Sequence, residues 1–469
     1  MTDPKTFIQK LLIEKGVYTE GSKNIFFENF VADEDTVFTV NQIFENQNSL
    51  IARFMNKVRI YDIQNQSLSV PNASVGKIYS GLIDFEKLGW NDFVFFEVEG
   101  LEETGLLYNV DSKTISGTPI LSGDFKLKLK FKIASDEEAI VPHERQLSLI
   151  INPDPKSLWR NKESDKSDPY WKEDNVAVTH SLGSKNIVIA SKRGRSHANV
   201  GSFRDDDFAF HYFETTGWAV VAVSDGAGSS KLSRAGSRHA CQSVVDYFSE
   251  NLTEALSEEF DDLMNAYKEG KGEDAQKKIS HFAYNTLGGA AKSVHKKLEE
   301  FANTIGVTLK ELHSTLIFTL FKKYKFGYAV LSFGVGDCPI ALINREVTEV
   351  TLMNWLDVGE FGGGTRFITM PEIFTSDKFF TRFKFKLVDD FSYLMLMTDG
   401  IYDPKFVVEA NLEKIEKWKE LIEDLKGNNN DGSIVELDSK NKELATQLST
   451  WMDFWSAGNH DDRTLAIVF

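Results

Sequence analysis

The sequence has little cysteine and no long apolar run, and each scarcity excludes a class of protein. Only Cys241 and Cys338 are present, and neither has the spacing of a disulfide framework or a zinc site. No stretch approaches the roughly 18 apolar residues of a membrane span. The first residues, MTDPKTFIQKLLIEKG, carry charges inside their only apolar part, so we predict no signal peptide. We therefore expect a cytoplasmic protein with reduced, buried thiols.

Positive charge is also scarce. Lys and Arg number 53 against 70 Asp and Glu, which gives a formal net charge of −17. Such an acidic surface repels nucleic-acid phosphates and anionic lipid, so we predict no nucleic-acid or membrane partner. An anionic substrate would need local positive charge, and bound metal ions are one source of it. The remaining composition, 42% hydrophobic and 26% charged, is that of a soluble globular protein with two or three domains.

Changes in hydrophobic period divide the chain into four predicted segments. They are a short helical N-terminus (1–56), a small all-β sandwich (57–152), a charged linker (153–180) and a larger α+β domain (181–469). The clearest strand is DFKLKLKFKI, in which apolar residues and lysines alternate as in a half-buried antiparallel strand. The stretch GLLYNVDSKTISGTPILSGDFKLKLKF resembles the end of bacterial immunoglobulin-like, cadherin-like repeats. That resemblance implies either a spacer or a docking module.

Acidic residues follow apolar strands in the fourth segment. The runs WAVVAVSDG and YLMLMTDG end in Asp225-Gly226 and Asp399-Gly400, where a rigid strand end would project each carboxylate. Three further residues have similar settings: Asp206, Asp337 and Asp461. Carboxylates that share a site raise one another's pKa unless cations neutralise them. An all-oxygen set favours Mg²⁺ or Mn²⁺ over zinc.

Seven motifs occur in order along residues 181–469, and each is weak by itself. They are SHANVGSFRDDDFAF, SDGAGSSKLSRAGS, HSTLIFTL, FGVGDCPIALI, GEFGGGTRFIT, LMTDGIYD and HDDRTLAIVF. Together they resemble the PP2C (PPM) phosphatase family, in particular its bacterial branch with DGAGS in place of DGHGG. The resemblance implies a β-sandwich of two antiparallel sheets flanked by helix pairs. It also implies hydrolysis of phosphoserine and phosphothreonine by a hydroxide that bridges two Mg²⁺ or Mn²⁺ ions, without a phosphoenzyme.

The resemblance also assigns candidate metal ligands. The acidic residues matched to the two-metal site, with Asp225 bridging both ions, are Asp206, Asp225, Asp399 and Asp461. The carbonyl of Gly226 is expected to bind one ion. Asp205 is expected to reach the metal through water, and Asp337, together with Asp399, is expected to hold a possible third ion.

Two departures from the family pattern leave roles open. Ala227 stands where DGHGG has its histidine, so the general acid must be another group. His197 is the nearest named candidate, and the alternative is that His197 is only a turn residue. Gly201 stands where many relatives have a phosphate-binding arginine. Arg195 or Arg204 is then the candidate, with surface charge as the alternative.

Three functional hypotheses follow. The leading one is an active phosphatase that acts on phosphorylated proteins, with a cognate Ser/Thr kinase or its targets as partners. The second is a catalytically weak, phosphatase-like scaffold that binds a kinase or phosphoprotein through the N-terminal module. The third is hydrolysis of a small phosphorylated metabolite.

The four core aspartates favour activity, and Glu360 and Arg366, in the glycine-rich flap, are candidates for substrate selection. Asp462 and Arg463 are expected to shape the final turn.

Overall fold

The computed structural model describes residues 3–137, 139–270, 272–357, 364–456 and 458–469. The chain divides into two compact units, Met1–Leu158 and Trp159–Phe469. Within the described ranges, no helix combines the length and the apolar composition needed to cross a bilayer.

The first unit begins with three helices that enclose a small apolar cluster. Its helices are α1 (Pro4–Glu14), α2 (Asn24–Ala32), α3 (Glu34–Asn65) and α4 (Phe85–Leu88). Asp33 caps α3, because its side chain accepts a hydrogen bond from the backbone N–H of Thr36. The predicted helical segment ended at residue 56, whereas α3 continues to Asn65, because its last turns bury Ile63 in the core of the following strands.

Among its described residues, seven strands complete the first unit. They are β1 (Ala73–Ser74), β2 (Tyr79–Leu82), β3 (Phe93–Glu99), β4 (Leu106–Asn109), β5 (Thr114–Gly117), β6 (Gly123–Ile133) and β7 (His143–Asn152). They form a four-stranded sheet, β1-β7-β6-β3, and a three-stranded sheet, β2-β5-β4. The alternating stretch predicted as a strand is β6, in which Leu127, Leu129 and Phe131 are buried. Side chains from both sheets share one apolar core.

The second unit contains two larger sheets. Its strands are β8 (Asn175–Leu182), β9 (Lys185–Lys192), β10 (Asp207–Phe213), β11 (Trp218–Ser224), β12 (Leu316–Tyr324), β13 (Gly327–Val335), β14 (Ile340–Asn344), β15 (Val350–Leu352), β16 (Phe383–Val388), β17 (Phe391–Met397) and β18 (Arg463–Val468). The five-stranded sheet has the order β10-β11-β12-β13-β16, and the six-stranded sheet has the order β15-β14-β17-β18-β9-β8. Neighbouring strands run antiparallel in both sheets.

The second unit also contains helices, most of which pack on the outer faces of the two sheets. They are α5 (Arg195–Val200), α6 (Ser233–Asn251), α7 (Glu254–Lys268), α8 (Gly272–Ile305), α9 (Glu372–Thr375), α10 (Asp399–Phe406), α11 (Ile415–Leu425) and α12 (Leu444–Trp451). Strand β11 illustrates the layering, since Val220 packs toward the α6–α8 side and Val221 packs between the two sheets. The helices α10–α12 pack with the six-stranded sheet in a separate cluster. The predicted α+β class is confirmed, with two antiparallel sheets between helical layers.

The predicted linker at 153–180 is largely folded into the second unit. Residues from Trp159 onward belong to that unit, β8 begins at Asn175, and Lys172 is only 2% exposed. The polar composition of this segment gave no sign of burial, because its buried charges pair with residues that lie far away in the sequence.

Candidate metal centre

Four of the predicted aspartates stand at strand ends. Asp206 directly precedes β10 and Asp225 directly follows β11. Asp207 pairs with Ser224 in this hairpin, so the next residues, Asp206 and Asp225, leave the five-stranded sheet side by side. On the other sheet, Asp399 begins α10 with one residue between it and the end of β17, and Asp461 lies just before β18.

The charges of these side chains act on one another, so the four carboxylates share one centre. Burial and the charges of Asp399 and Asp206 raise the pKa of Asp225 well above its ordinary value. Burial and the nearby carboxylates raise the pKa of Asp206 to about 7 and that of Asp399 to about 8. Asp461 acts on all three of these groups. Carboxylates that repel one another in this way are stabilised in their charged form when a cation binds among them.

Two threonines hold the Asp206 carboxylate. The hydroxyls of Thr398 and Thr464 each donate to Asp206 Oδ2 at 2.8 Å. Thr398 and Thr464 lie opposite one another where β17 and β18 meet, with a backbone hydrogen bond of 3.0 Å between them. A predicted ligand from one sheet is therefore fixed by hydroxyls from the other.

Asp337 lies beside Asp225. Their carboxylates and the Cys338 thiol have ligand atoms within 4.8 Å of one another. Thr365 donates to Asp337 Oδ2 at 2.8 Å, whereas the buried Asp337 Oδ1 has no hydrogen-bond partner among the described residues. A buried carboxylate oxygen that accepts no hydrogen bond is suited to bind a hard cation.

Glycine is required where the loops of the centre meet. A Cβ on Gly226 would lie 2.7 Å from the backbone oxygen of Asp205, and one on Gly400 would lie 1.9 Å from the backbone oxygen of Asp462. Both distances are shorter than a real Cβ allows. The Asp-Gly pairs therefore serve close backbone approach, as the sequence indicated for strand ends of this type.

Asp462 organises a second cluster at the edge of the centre. Its carboxylate accepts hydrogen bonds from the backbone N–H groups of Gly194, at 2.5 Å, and Asp205. It also bonds His197 Nδ1 at 3.0 Å. His197 Nε2 then faces Asp205 at 3.9 Å and Asp461 at 4.0 Å.

The charges around His197 favour its protonated form. Burial opposes protonation, but the hydrogen bond that His197 donates to Asp462 and the charges of Asp462, Asp205 and Asp461 outweigh it and raise the pKa of His197 to about 10. The same surroundings depress the pKa of Asp462, where burial works against the bonds from His197, Gly194 and Asp205. The two side chains therefore form a buried ion pair.

The two candidate phosphate-binding arginines have different positions. The Arg204 side chain is 2% exposed and donates to the backbone oxygens of Glu173 (3.0 Å) and Asp206 (2.7 Å) and to Ser191 Oγ (2.5 Å). The expectation that Arg204 contacts substrate is corrected on this ground, since a buried guanidinium with these acceptors braces Asp206 instead. Arg195 lies on α5 with His197, is partly exposed, and donates to the backbone oxygen of Asp453 at 2.5 Å.

Several residues of the centre carried no sequence signal. Thr398, Thr464 and Lys172 contact Asp206 from distant parts of the chain, and only the fold reveals such pairings.

Asp462 and Arg463 do shape the final turn, as expected. Arg463 is buried and donates to the backbone oxygens of Met452 and Phe454.

The glycine-rich flap is only partly described. Glu360 lies outside the described residues. Arg366 lies inside them and follows Thr365, which contacts Asp337, so its backbone runs beside the centre.

The fold and the centre together define an α+β protein with a carboxylate-rich site suited to divalent cations. The family model of protein phosphatase 2C matches residues 193–452, which is more than half of the chain. The chain therefore belongs to the protein phosphatase 2C family.

Solved structures to which this chain is similar include bacterial phosphatases. The serine/threonine phosphatase Stp1 from Staphylococcus aureus is 15% identical, with 63% of this chain and 98% of that chain covered and a TM-score of 0.37. A bacterial serine phosphatase is 14% identical, with 60% and 96% covered and a TM-score of 0.37. The catalytic domain of the phosphatase PstP, in complex with two manganese ions, is 12% identical, with 62% and 98% covered and a TM-score of 0.34. The comparison with curated proteins gives no match.

Proposed function

We propose that this chain is a metal-dependent phosphatase that hydrolyses phosphoserine and phosphothreonine in proteins. One observation carries the proposal: Asp206, Asp225, Asp399 and Asp461 come from the ends of strands in two different sheets and interact in one centre. A structural protein gains nothing from such mutually repelling carboxylates, because each costs desolvation free energy without a cation. Family membership supports the same reading.

The donor set fits two Mn²⁺ or Mg²⁺ ions, with a third as a further possibility that the buried, partnerless Asp337 Oδ1 supports. Asp206, Asp225, Asp399 and Asp461 would be the ligands, with the Gly226 carbonyl completing the set and Asp205 acting through water. When bound, two such cations acidify water and neutralise phosphate charge at neutral pH. Oxygen donors of this kind select hard cations.

His197 is the residue that we propose to protonate the leaving oxygen. Its Nδ1 is occupied by Asp462 at 3.0 Å, which leaves Nε2 as the atom that holds a transferable proton. Nε2 is within 4.0 Å of Asp205 and Asp461, so it borders the acidic centre. Arg195, on the same short helix, is the remaining candidate to bind the substrate phosphate.

For the rest of the chain, we propose an immunoglobulin-like module at 57–152 and membership of the DGAGS-type bacterial branch. Two sheets around one core in the first unit support the module, and the sequence SDGAGSS supports the branch. A kinase partner and a cytoplasmic location remain predictions from the sequence.

The test is hydrolysis of p-nitrophenyl phosphate and of a phosphothreonine peptide by the full chain after dialysis against EDTA. We expect no turnover without metal, recovery with Mn²⁺ or Mg²⁺, and a loss of several orders of magnitude in kcat for Asp399→Asn. The exposed Asp377→Asn serves as the matched control and should behave as wild type. If EDTA has no effect, or if Asp399→Asn retains wild-type kcat, the proposed function is wrong.

A further inference from the structure

A segment outside the family match lies against the centre. We call residues 159–172 the strap; it precedes the matched range, which begins at residue 193. Its first part pairs with α5, because the N–H of Arg160 donates to Asn199 Oδ1 at 3.1 Å and the N–H of Lys162 donates to the backbone oxygen of Ala198 at 2.8 Å. The Trp159 ring packs on His460 with centroids 4.4 Å apart, directly before Asp461 in the chain.

The middle of the strap is tied to α6 by an ion pair. Arg234 Nη2 donates to both carboxylate oxygens of Asp168 at 2.9 Å, and the Arg234 side chain is only 5% exposed. Trp171 Nε1 donates to Ser164 Oγ at 3.1 Å, which closes the strap on itself. Such buried, charge-assisted contacts fix a segment that has no regular secondary structure along this part.

The strap ends at Lys172, whose ammonium contacts the backbone of Asp205 and Asp206, the loop that carries two predicted metal ligands. Its Nζ lies 2.7 Å from the backbone oxygen of Asp206 and 3.4 Å from that of Asp205. It also contacts Asp207 Oδ2 at 3.0 Å, the backbone oxygen of Arg234 at 3.2 Å and Ser237 Oγ at 3.3 Å. The Lys172 side chain is 1% exposed. An ammonium has only three donors, and here all of them are directed at the loop that carries two predicted ligands or at its neighbours on α6.

We propose that Lys172 is a positioning residue of the metal centre: by holding the backbone oxygens of Asp205 and Asp206, it fixes where their carboxylates meet a divalent cation. This inference rests on the proposed function, because it assumes that those carboxylates receive the metal. Burying an ammonium is costly unless it is paired. The pairing here is with the backbone oxygens of Asp205 and Asp206 and with the Asp207 carboxylate.

Two physical effects of removing Lys172 oppose one another. Loss of a positive charge near the centre strengthens cation binding, whereas loss of the hydrogen bonds releases the loop and weakens it. The charge effect is small because Asp207, 3.0 Å away, compensates the ammonium. Changes to residues that orient metal ligands typically cost 10- to 100-fold in affinity or activity. We therefore expect release of the loop to dominate.

The experiment measures Mn²⁺ affinity of the full-length chain by electron paramagnetic resonance of free Mn²⁺, alongside kcat and thermal unfolding in EDTA. Lys172→Met should bind Mn²⁺ about ten-fold or more weakly than wild type while still unfolding cooperatively. Lys166→Met, at an exposed lysine of the same strap, is the matched control and should leave Mn²⁺ affinity unchanged. Wild-type affinity in Lys172→Met overturns the positioning role.

A charge-balanced double variant separates the two effects. Lys172→Met with Asp207→Asn removes both members of the ion pair, so the net charge is unchanged while the loop is still released. Binding as weak as in Lys172→Met, or weaker, supports positioning, whereas wild-type affinity in the double variant means that release of the loop does not by itself weaken binding and overturns the proposal. If Lys172→Met does not fold, Asp168→Asn releases the strap at its other anchor, and unchanged Mn²⁺ affinity there is the overturning result. Wild-type protein that binds no Mn²⁺ would instead sink the proposed function, and this inference with it.

Discussion

At the scale of single residues, Asp462 shows how a side chain that is no predicted metal ligand can organise the centre. It accepts from two backbone N–H groups and from His197, and no neutral side chain can accept all three in the same geometry. In Asp462→Asn, the amide NH₂ cannot accept a hydrogen bond, so at least one buried donor loses its partner. Each such loss costs about 1–3 kcal/mol.

We therefore expect Asp462→Asn to be folded but less stable than wild type, with kcat lowered about 10- to 100-fold. Urea unfolding and steady-state kinetics on p-nitrophenyl phosphate check both parts. The exposed Asp431→Asn is the matched control. Wild-type stability together with wild-type kcat in Asp462→Asn would show that the cluster around His197 is dispensable.

The sequence predicted the acidic residues of the centre better than their supports. Asp225 and Asp399 each follow an apolar strand and precede glycine, and this local pattern implies a projecting carboxylate with room for close backbone approach. Thr398, Thr464 and Lys172 reach Asp206 across the fold, so no local pattern marks them. Arg204 was misread for the same reason, since a charged residue next to the acids looks exposed until its buried acceptors are known.

At the scale of elements, the strap changes where the catalytic part of the chain begins. The sequence predicted a linker because charged residues and three prolines interrupt any apolar period there. The structure instead gives these charges specific partners, as in the Asp168–Arg234 pair. Periodicity detects burial of apolar side chains, and it cannot detect a segment held by buried polar contacts.

Two truncations test this boundary. A chain that begins at residue 159 keeps the strap and should retain metal-dependent hydrolysis of p-nitrophenyl phosphate, because the first unit supplies none of the proposed ligands. A chain that begins at residue 173 keeps β8 but lacks the strap, and its Mn²⁺ affinity should fall because Asp205 and Asp206 lose their support. Circular dichroism establishes whether each variant is folded. Equal Mn²⁺ dependence of two folded truncations would place the strap outside the working site.

At the scale of the whole molecule, the second unit places the acidic centre where its two sheets end together. Asp206 and Asp225 come from the five-stranded sheet, and Asp399 and Asp461 come from the six-stranded sheet. The α+β class could be predicted from the order of strands and helices, and the two-sheet sandwich followed from the family resemblance of the motifs. The sheet orders, by contrast, depend on pairings between distant strands, such as β9 with β18, which periodicity alone does not specify.

A net charge of −17 disfavours binding of a phosphorylated substrate unless cations bind at the acidic centre. An acidic protein repels a phosphorylated substrate, and burial and mutual repulsion raise the pKa values of Asp206 and Asp399. Divalent cations correct both problems at one place. The proposed activity therefore depends on metal binding more than on any single catalytic group.

A crystal structure of the full chain grown with Mn²⁺, with anomalous diffraction recorded at the manganese edge, tests that dependence directly. We predict two strong anomalous peaks among Asp206, Asp225, Asp399 and Asp461, with any third, weaker peak beside Asp337. The Asp225→Asn variant should lose both main peaks, because this residue is expected to bridge the ions. An empty centre in wild-type crystals at saturating Mn²⁺, or manganese bound elsewhere only, would contradict the account.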